Sequence, residues 1–333
     1  MLNHLRLKAS LEDMVVIRND RLPERKIPLR EKPLPRYVLP YRGLLGLALI
    51  ALFWPASWLQ LGLLGHYSFF PLWLGYILTL EGLVLRRTGT SLIQRNPWTF
   101  AGMFVVAIPF WWFFEGVNQF TENWRYIGNE DRSTTHFILF SSWAFSIVVP
   151  AVLETAEYLN STRFMDRLST GPSVKPSKTF ITGVVLMGVM CLIALTIWPR
   201  YAFPVTWLGV FFILDPINYL QSRPSVLAAV KHGEWRLPWS LALGALVCGF
   251  FWEMWNFHAI PKWEYDIAFF EVLHIFEMPL LGYGGYLPFG LETFAAYHFL
   301  AGIIGWSKGA LSPEDERRQP AAYRSVADQG NRG

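Results

Sequence analysis

The chain has 333 residues, of which 53% are apolar and 17% aromatic, with 16 Trp and a formal net charge of +4. Its mean hydropathy of +0.27 is concentrated in long apolar blocks, which excludes an ordinary soluble domain and points to an integral membrane protein. The positive balance is accounted for by loops at one membrane face rather than by a nucleic-acid site, and the 2 Cys build neither a disulfide framework nor a metal-thiolate pattern.

In chain order, residues 1–42 read as a basic cytoplasmic tail in which Pro23, Pro28, Pro33, Pro35 and Pro40 disrupt helix, a strap on the lipid headgroups with no cleavable signal peptide. A bilayer core about 30 Å thick needs roughly 20 apolar residues per helix. By that length eight spans are expected, over residues 43–62, 68–86, 98–118, 136–158, 178–198, 203–221, 237–257 and 285–306. Residues 268–281 are apolar but short, and Gly282, Gly284, Gly285 and Pro288 follow. They read as a re-entrant or interfacial helix. Residues 161–177 form a cytoplasmic linker and 307–333 a polar cytoplasmic tail. Arg86, Arg87 and Arg95, then Arg163, Arg167, Lys175 and Lys178, then Arg223, Lys231 and Arg236 fall on one side of an eight-span chain, so both termini are expected in the cytoplasm and the host membrane is expected to be the plasma (inner) membrane. Trp124, Tyr126, Trp263 and Tyr265 lie in the opposite loops and read as interface anchors.

The chain states one pattern twice. Glu115 and Asn118 recur as Glu253 and Asn256, and His136, Pro150 and Glu154 recur as His274, Pro288 and Glu292, all at an offset of 138 residues. Trp73, Leu74, Gly75 and Glu81 recur as Trp207, Leu208, Gly209 and Asp215. Four spans per half return the chain to the same side, so the halves, 43–160 and 178–306, are expected to be parallel repeats about an axis along the membrane normal. The fold class is therefore all-α: a polytopic membrane protein of two four-helix repeats.

A duplicated Trp, Gly or Pro is explained by helix packing. Duplicated acids are not, because a carboxylate within an apolar span is costly and is a functional candidate by default. The candidates are Glu115, Asn118, Asp215, Glu253, Asn256 and Glu292, with each Glu and Asn three residues apart on one helix face. At 1.5 Å rise per residue, Glu115 lies about 26 Å along its helix from Trp98 and Glu253 about 26 Å from Arg236, in the outer half; Glu81, Asp215 and Glu154 lie nearer the cytoplasm. Glu292 is about 24 Å from Lys308 and can join the outer layer if the preceding Gly and Pro residues break the helix.

No zinc spacing, nucleotide-binding, nicotinamide-binding or serine-hydrolase motif is present; Glu271 and His274 make one Glu-x-x-His with no second copy, and no cofactor is named by the sequence. What remains is acid chemistry beside Trp112, Phe113, Phe114, Phe250, Phe251, Trp252 and Trp255, whose faces stabilise a developing cation. In plan the chain is similar to the membrane-embedded isoprenoid cyclases of the terpene and lycopene types. That resemblance covers architecture only, carries no residue across, and implies a non-redox enzyme with a hydrophobic, lipid-like substrate. A proton-coupled carrier of a small solute and an assembly subunit of a membrane complex are the competing readings.

Overall fold

The computed structural model describes residues 38–128, 133–268 and 272–305. Residues 1–37 of the expected N-terminal tail, the whole C-terminal tail and Glu271 lie outside the described residues. In hydrocarbon each backbone N–H and C=O must be satisfied within its own segment, and the apolar blocks accordingly form helices. These are α1 (Tyr41–Trp58), α2 (Gly62–His66), α3 (Phe69–Thr88), α4 (Leu92–Arg95), α5 (Pro97–Thr121), α6 (Thr134–Phe145) and α7 (Val148–Asn160). After a 3₁₀ turn at Arg163–Leu168 come α8 (Lys178–Ile197), α9 (Phe203–Leu220), α10 (Val226–Val230), α11 (Arg236–Phe257) and α12 (Tyr286–Ile303).

Local chemistry sets the ends. Gly89, at φ 79°, closes α3 in the left-handed region that glycine enters without strain. Asn96 caps α5 by accepting the Thr99 N–H at 3.1 Å, with Pro97 in the first turn where its missing N–H costs nothing. Among the described residues, five helical stretches are long and apolar enough to cross a membrane: α3, α5, Thr134–Asn160 through α6 and α7, α8, and α11. Part of α9, Val205–Leu220, is a shorter apolar helix.

Helix α1 packs along α3 and α8 along α9. Backbones touch in both pairs: a Cβ on Gly46 would sit 2.5 Å from the Gly75 carbonyl oxygen, and one on Gly188 2.8 Å from that of Gly209. Helices α7 and α11 pack together, α3 and α5 lie on α7, and α12 lies against α9, α11 and α5. Trp73, Trp255, Phe114, Phe294 and Leu153 are buried in this core.

At one end the loops are tied by basic side chains: Arg87 donates to the Ser161 carbonyl at 2.8 Å, and Arg236 to the Asn160 carbonyl and to Asp166. At the other end β1 (Trp124–Ile127) pairs antiparallel with β2 (Lys262–Tyr265), so the molecule is mostly helical but carries a two-stranded ribbon. Trp124, Tyr126, Trp263 and Tyr265 belong to this ribbon, and Trp124 is buried. The helix expected over residues 268–281 is replaced, in the described part of that stretch, by a tight turn. Strand β3 (His274–Ile275) pairs with β4 (Met278–Pro279), and a 3₁₀ turn, Leu280–Gly285, leads into α12. Leu273 and Phe276 have φ of 55° and 58°, which no right-handed helix accommodates.

Candidate functional site

The ribbon sets the geometry. Alternate residues of a strand share a face, so Trp124 and Tyr126 project together, as do Trp263 and Tyr265. The register places Trp124 opposite Tyr265 and Tyr126 opposite Trp263, which brings all four rings to one face. Arg125 and Glu264, paired on the other face, form an ion pair at 3.1 Å, and the Arg125 side chain is exposed there.

Each strand is clamped to its helix by an amide. Asn118 donates from Nδ2 to the Trp124 carbonyl at 2.7 Å, and its Oδ1 accepts from the Asn123 and Trp124 N–H groups at 2.9 and 3.2 Å. Asn256 donates to the Trp263 carbonyl at 2.7 Å and accepts from the Trp263 N–H at 2.9 Å. Asparagine suits this post because it offers donor and acceptor at once, mimicking one rung of a sheet.

One helical turn before each amide, a carboxylate takes up the rings. Oε1 of Glu115 accepts from the Tyr126 hydroxyl at 2.6 Å, the Trp111 indole at 2.9 Å and the Trp124 indole at 3.2 Å. Oε1 of Glu253 accepts from the Tyr286 hydroxyl at 2.6 Å and the Tyr265 hydroxyl at 2.8 Å; the Trp263 indole donates to the Tyr265 oxygen at 2.9 Å. The position 138 residues after Trp111 is Gly249, and a Cβ there would lie 2.3 Å from the Tyr286 ring. The bare backbone is what lets Tyr286 lie against α11 and reach Glu253. Tyr126 and Tyr265, in the ribbon, have pKa values well above the ordinary phenol range, first because they are buried and then because a carboxylate stands beside each. Both phenols therefore keep their protons and act as donors.

These rings enclose a cavity of about 130 Å³. Its walls carry five tryptophans, Trp111, Trp124, Trp207, Trp252 and Trp263, and three tyrosines, Tyr126, Tyr265 and Tyr286, with Phe69, Phe140, Phe145 and Phe289 among the remainder. Glu115 and Glu253 are not in the lining. They stand behind it, buried, each reached through the rings that bond to it. Beyond the tyrosine hydroxyls and indoles, the polar side chains of the lining are His66, Ser68, Ser141 and Lys262: Ser68 donates to the Gly65 carbonyl at 2.6 Å, and Lys262 is paired with Glu277 and, at 3.6 Å, with Glu264.

Of the residues singled out in the sequence, Glu115, Asn118, Glu253 and Asn256 converge on this structure. Asp215 and Glu292 do not line the cavity. Asp215 is buried and accepts from the Val226 and Leu227 N–H groups at 2.7 and 2.9 Å, holding the start of α10, whose cap is Ser225. Glu81 does the same for α4, accepting from the Ile93 N–H at 2.8 Å. Glu292 is fully buried in α12 and makes no hydrogen bond among the described residues, and the same is true of His298. No three His, Cys, Asp or Glu side chains gather to hold a metal among the described residues.

Comparison of the chain with protein-family models, with curated proteins and with solved structures gives no match. The site residues that sequence reasoning missed are Trp111, Tyr286 and the cavity role of Trp124, Tyr126, Trp263 and Tyr265. A signal for the last four was present: Trp-x-Tyr follows each Glu-x-x-Asn, Trp124 six residues after Asn118 and Trp263 seven after Asn256.

Proposed function

We infer that the chain is a membrane-embedded enzyme of non-redox type, which takes a lipid or isoprenoid into the aromatic cavity and exchanges protons with it through phenols backed by Glu115 and Glu253. The observation that carries this reading is that both carboxylates bond to tyrosines whose rings line the same cavity. A phenol placed between a carboxylate and a substrate passes a proton in either direction, and the indole faces around it stabilise positive charge as it develops on carbon. Cyclisation or isomerisation of an alkene needs those two services and no redox partner. The carrier reading has weaker support, because it asks for carboxylates in the lining and these stand one ring behind it.

The same reading takes the fold as two parallel repeats of four spans, eight in all. Its support is the like pairing of α1 with α3 and α8 with α9, each through a glycine of the duplicated Trp-Leu-Gly, and the like roles of Glu115 with Asn118 and Glu253 with Asn256. Arg87, Arg163, Arg167, Arg223 and Arg236 lie beyond or at helix ends remote in sequence from the ribbon, which supports a cytoplasmic face there and both termini on that side of the plasma membrane.

Protein reconstituted with polyisoprenoids and polar lipids should yield a product of unchanged mass or altered headgroup. Loss of that product in Glu253→Gln and in Tyr265→Phe is expected. Undiminished turnover in both variants would reject the assignment.

A further inference from the structure

We propose that the group held by the aromatic cavity is a quaternary ammonium. This rests on the reading of the cavity as the substrate site and, of the two substrates named there, favours the lipid, held by its headgroup, over the isoprenoid. Most ring donors of the wall are engaged away from the cavity at rest: the Trp111, Trp124 and Tyr126 donors on Glu115, the Tyr265 and Tyr286 donors on Glu253, and the Trp263 indole on the Tyr265 oxygen. What the rings leave to a ligand is their π faces. A cation over such a face is attracted by the ring quadrupole, and a ring that donates to a carboxylate is more electron-rich and holds the cation better.

Charge favours the same occupant. Two carboxylates back the wall, and the Lys262 ammonium at its edge is bound to Glu277. A primary ammonium or a guanidinium entering here would exchange its water for few acceptors, because the carboxylates stand behind the rings and, apart from the tyrosine hydroxyls and indoles, His66, Ser68, Ser141 and Lys262 are the polar side chains of the lining. A trimethylammonium head has no N–H to satisfy. Its charge is spread over methyl groups that pack against aromatic faces, so desolvation costs it least of the common cations. Stacking of Trp252 on Tyr286, at 6.1 Å between centroids and 23° between planes, and the four rings of the ribbon face supply walls on more than one side of the head.

The test uses the full chain in nanodiscs of phosphatidylglycerol, which carry no choline. Tryptophan fluorescence is titrated with choline and with 3,3-dimethylbutanol, the neutral carbon analogue of choline, and in a separate arm with phosphatidylcholine added to the discs. Choline, where it binds, should bind at least about tenfold more tightly than 3,3-dimethylbutanol. Saturation by free choline alone assigns a soluble solute, and saturation by phosphatidylcholine alone assigns a lipid headgroup. Glu115→Gln and Glu253→Gln should shrink the preference for charge while leaving the neutral analogue bound. In case those variants fold poorly, protein labelled throughout with fluorinated tryptophans should lose choline affinity stepwise as fluorines drain the ring faces. Equal binding of cation and neutral analogue would overturn the ammonium assignment and leave the cavity as substrate site. Binding of none of the three probes would overturn both.

Discussion

Replacing Asn118 by Ala removes three hydrogen bonds at once: Trp124 carbonyl at 2.7 Å, Asn123 N–H at 2.9 Å and Trp124 N–H at 3.2 Å. Asn118 is 8% exposed, Asn123 1% and Trp124 7%, so water does not take over those partners. A net hydrogen bond is worth about 1 kcal/mol and a buried group left unsatisfied costs about 1–3 kcal/mol, which sets the loss at roughly 3–6 kcal/mol. Asn256→Ala breaks two bonds, to the carbonyl and N–H of Trp263, and should cost about 2–4 kcal/mol on the same scale. Asn118→Asp keeps the two accepted bonds but replaces the donor by an oxygen set against the Trp124 carbonyl, so its cost exceeds the about 1–3 kcal/mol of one lost bond. The expected order of unfolding midpoints is therefore parent, Asn256→Ala, Asn118→Ala, with Asn118→Asp also below the parent, read by far-UV circular dichroism in one detergent. Hydrogen exchange should show the Asn123 and Trp124 amides deprotected in Asn118→Ala while the core of α7 stays closed. An Asn118→Ala chain as stable as the parent, with those amides still slow to exchange, would refute the clamp.

Gly249→Ala places a methyl group 2.3 Å from the Tyr286 ring, so the ring must swing off α11 and give up its 2.6 Å bond to Glu253. Turnover and ligand affinity should both fall, and unchanged values would show that Tyr286 is not needed at the site. Asp215→Asn keeps one acceptor oxygen and turns the other into an NH2 group facing an amide N–H, so one of the two bonds to α10 is lost and stability should fall by about 2 kcal/mol while ligand affinity in the cavity stays unchanged. A loss of affinity without loss of stability would instead place Asp215 in the chemistry. High pH should unfold the chain through its ribbon. An unfolded tyrosine loses its proton near pH ~10, whereas Tyr126 and Tyr265 hold theirs to higher pH because burial, and then the adjacent carboxylate, disfavours the phenolate. Above that pH the unfolded chain binds fewer protons than the folded one, so the stability these groups contribute is whole below it and falls as pH rises. Tyrosinate absorbance from these two side chains should appear only with unfolding; their reversible titration near pH ~10 in the intact fold would contradict their burial against Glu115 and Glu253.

The membrane helices were legible because apolar length is a property of composition, and α3, α5, α8 and α11 coincide with blocks visible in the sequence. The pairing of Glu115 with Asn118 was legible from helical spacing. Their division of labour was not, since it depends on what arrives from elsewhere: backbone for the amide, rings for the acid. Trp124 and Tyr126 read as membrane anchors because a four-residue strand has too little periodicity to announce its partner, and β2 lies more than a hundred residues away. The turn at β3 and β4 was hidden for a related reason. Apolar residues fill it, and only the left-handed backbone at Leu273 and Phe276 distinguishes it from a short helix. Tyr286 escaped notice because its reach to Glu253 depends on an absent side chain at Gly249, a contact that no pattern in either segment reveals.

On the proposed function, substrate sits against the rings backed by Glu115 and Glu253. Photolabelling tests it most directly, with diazirine-bearing analogues of the lipid or isoprenoid that the purified chain turns over, followed by peptide mapping. The expected result is labelling on Trp111, Trp124, Tyr126, Trp263, Tyr265 and Tyr286, suppressed by unlabelled substrate. Labelling confined to outward-facing positions such as Leu186, Met190 and Ile197 of α8, unaffected by competitor, would contradict it.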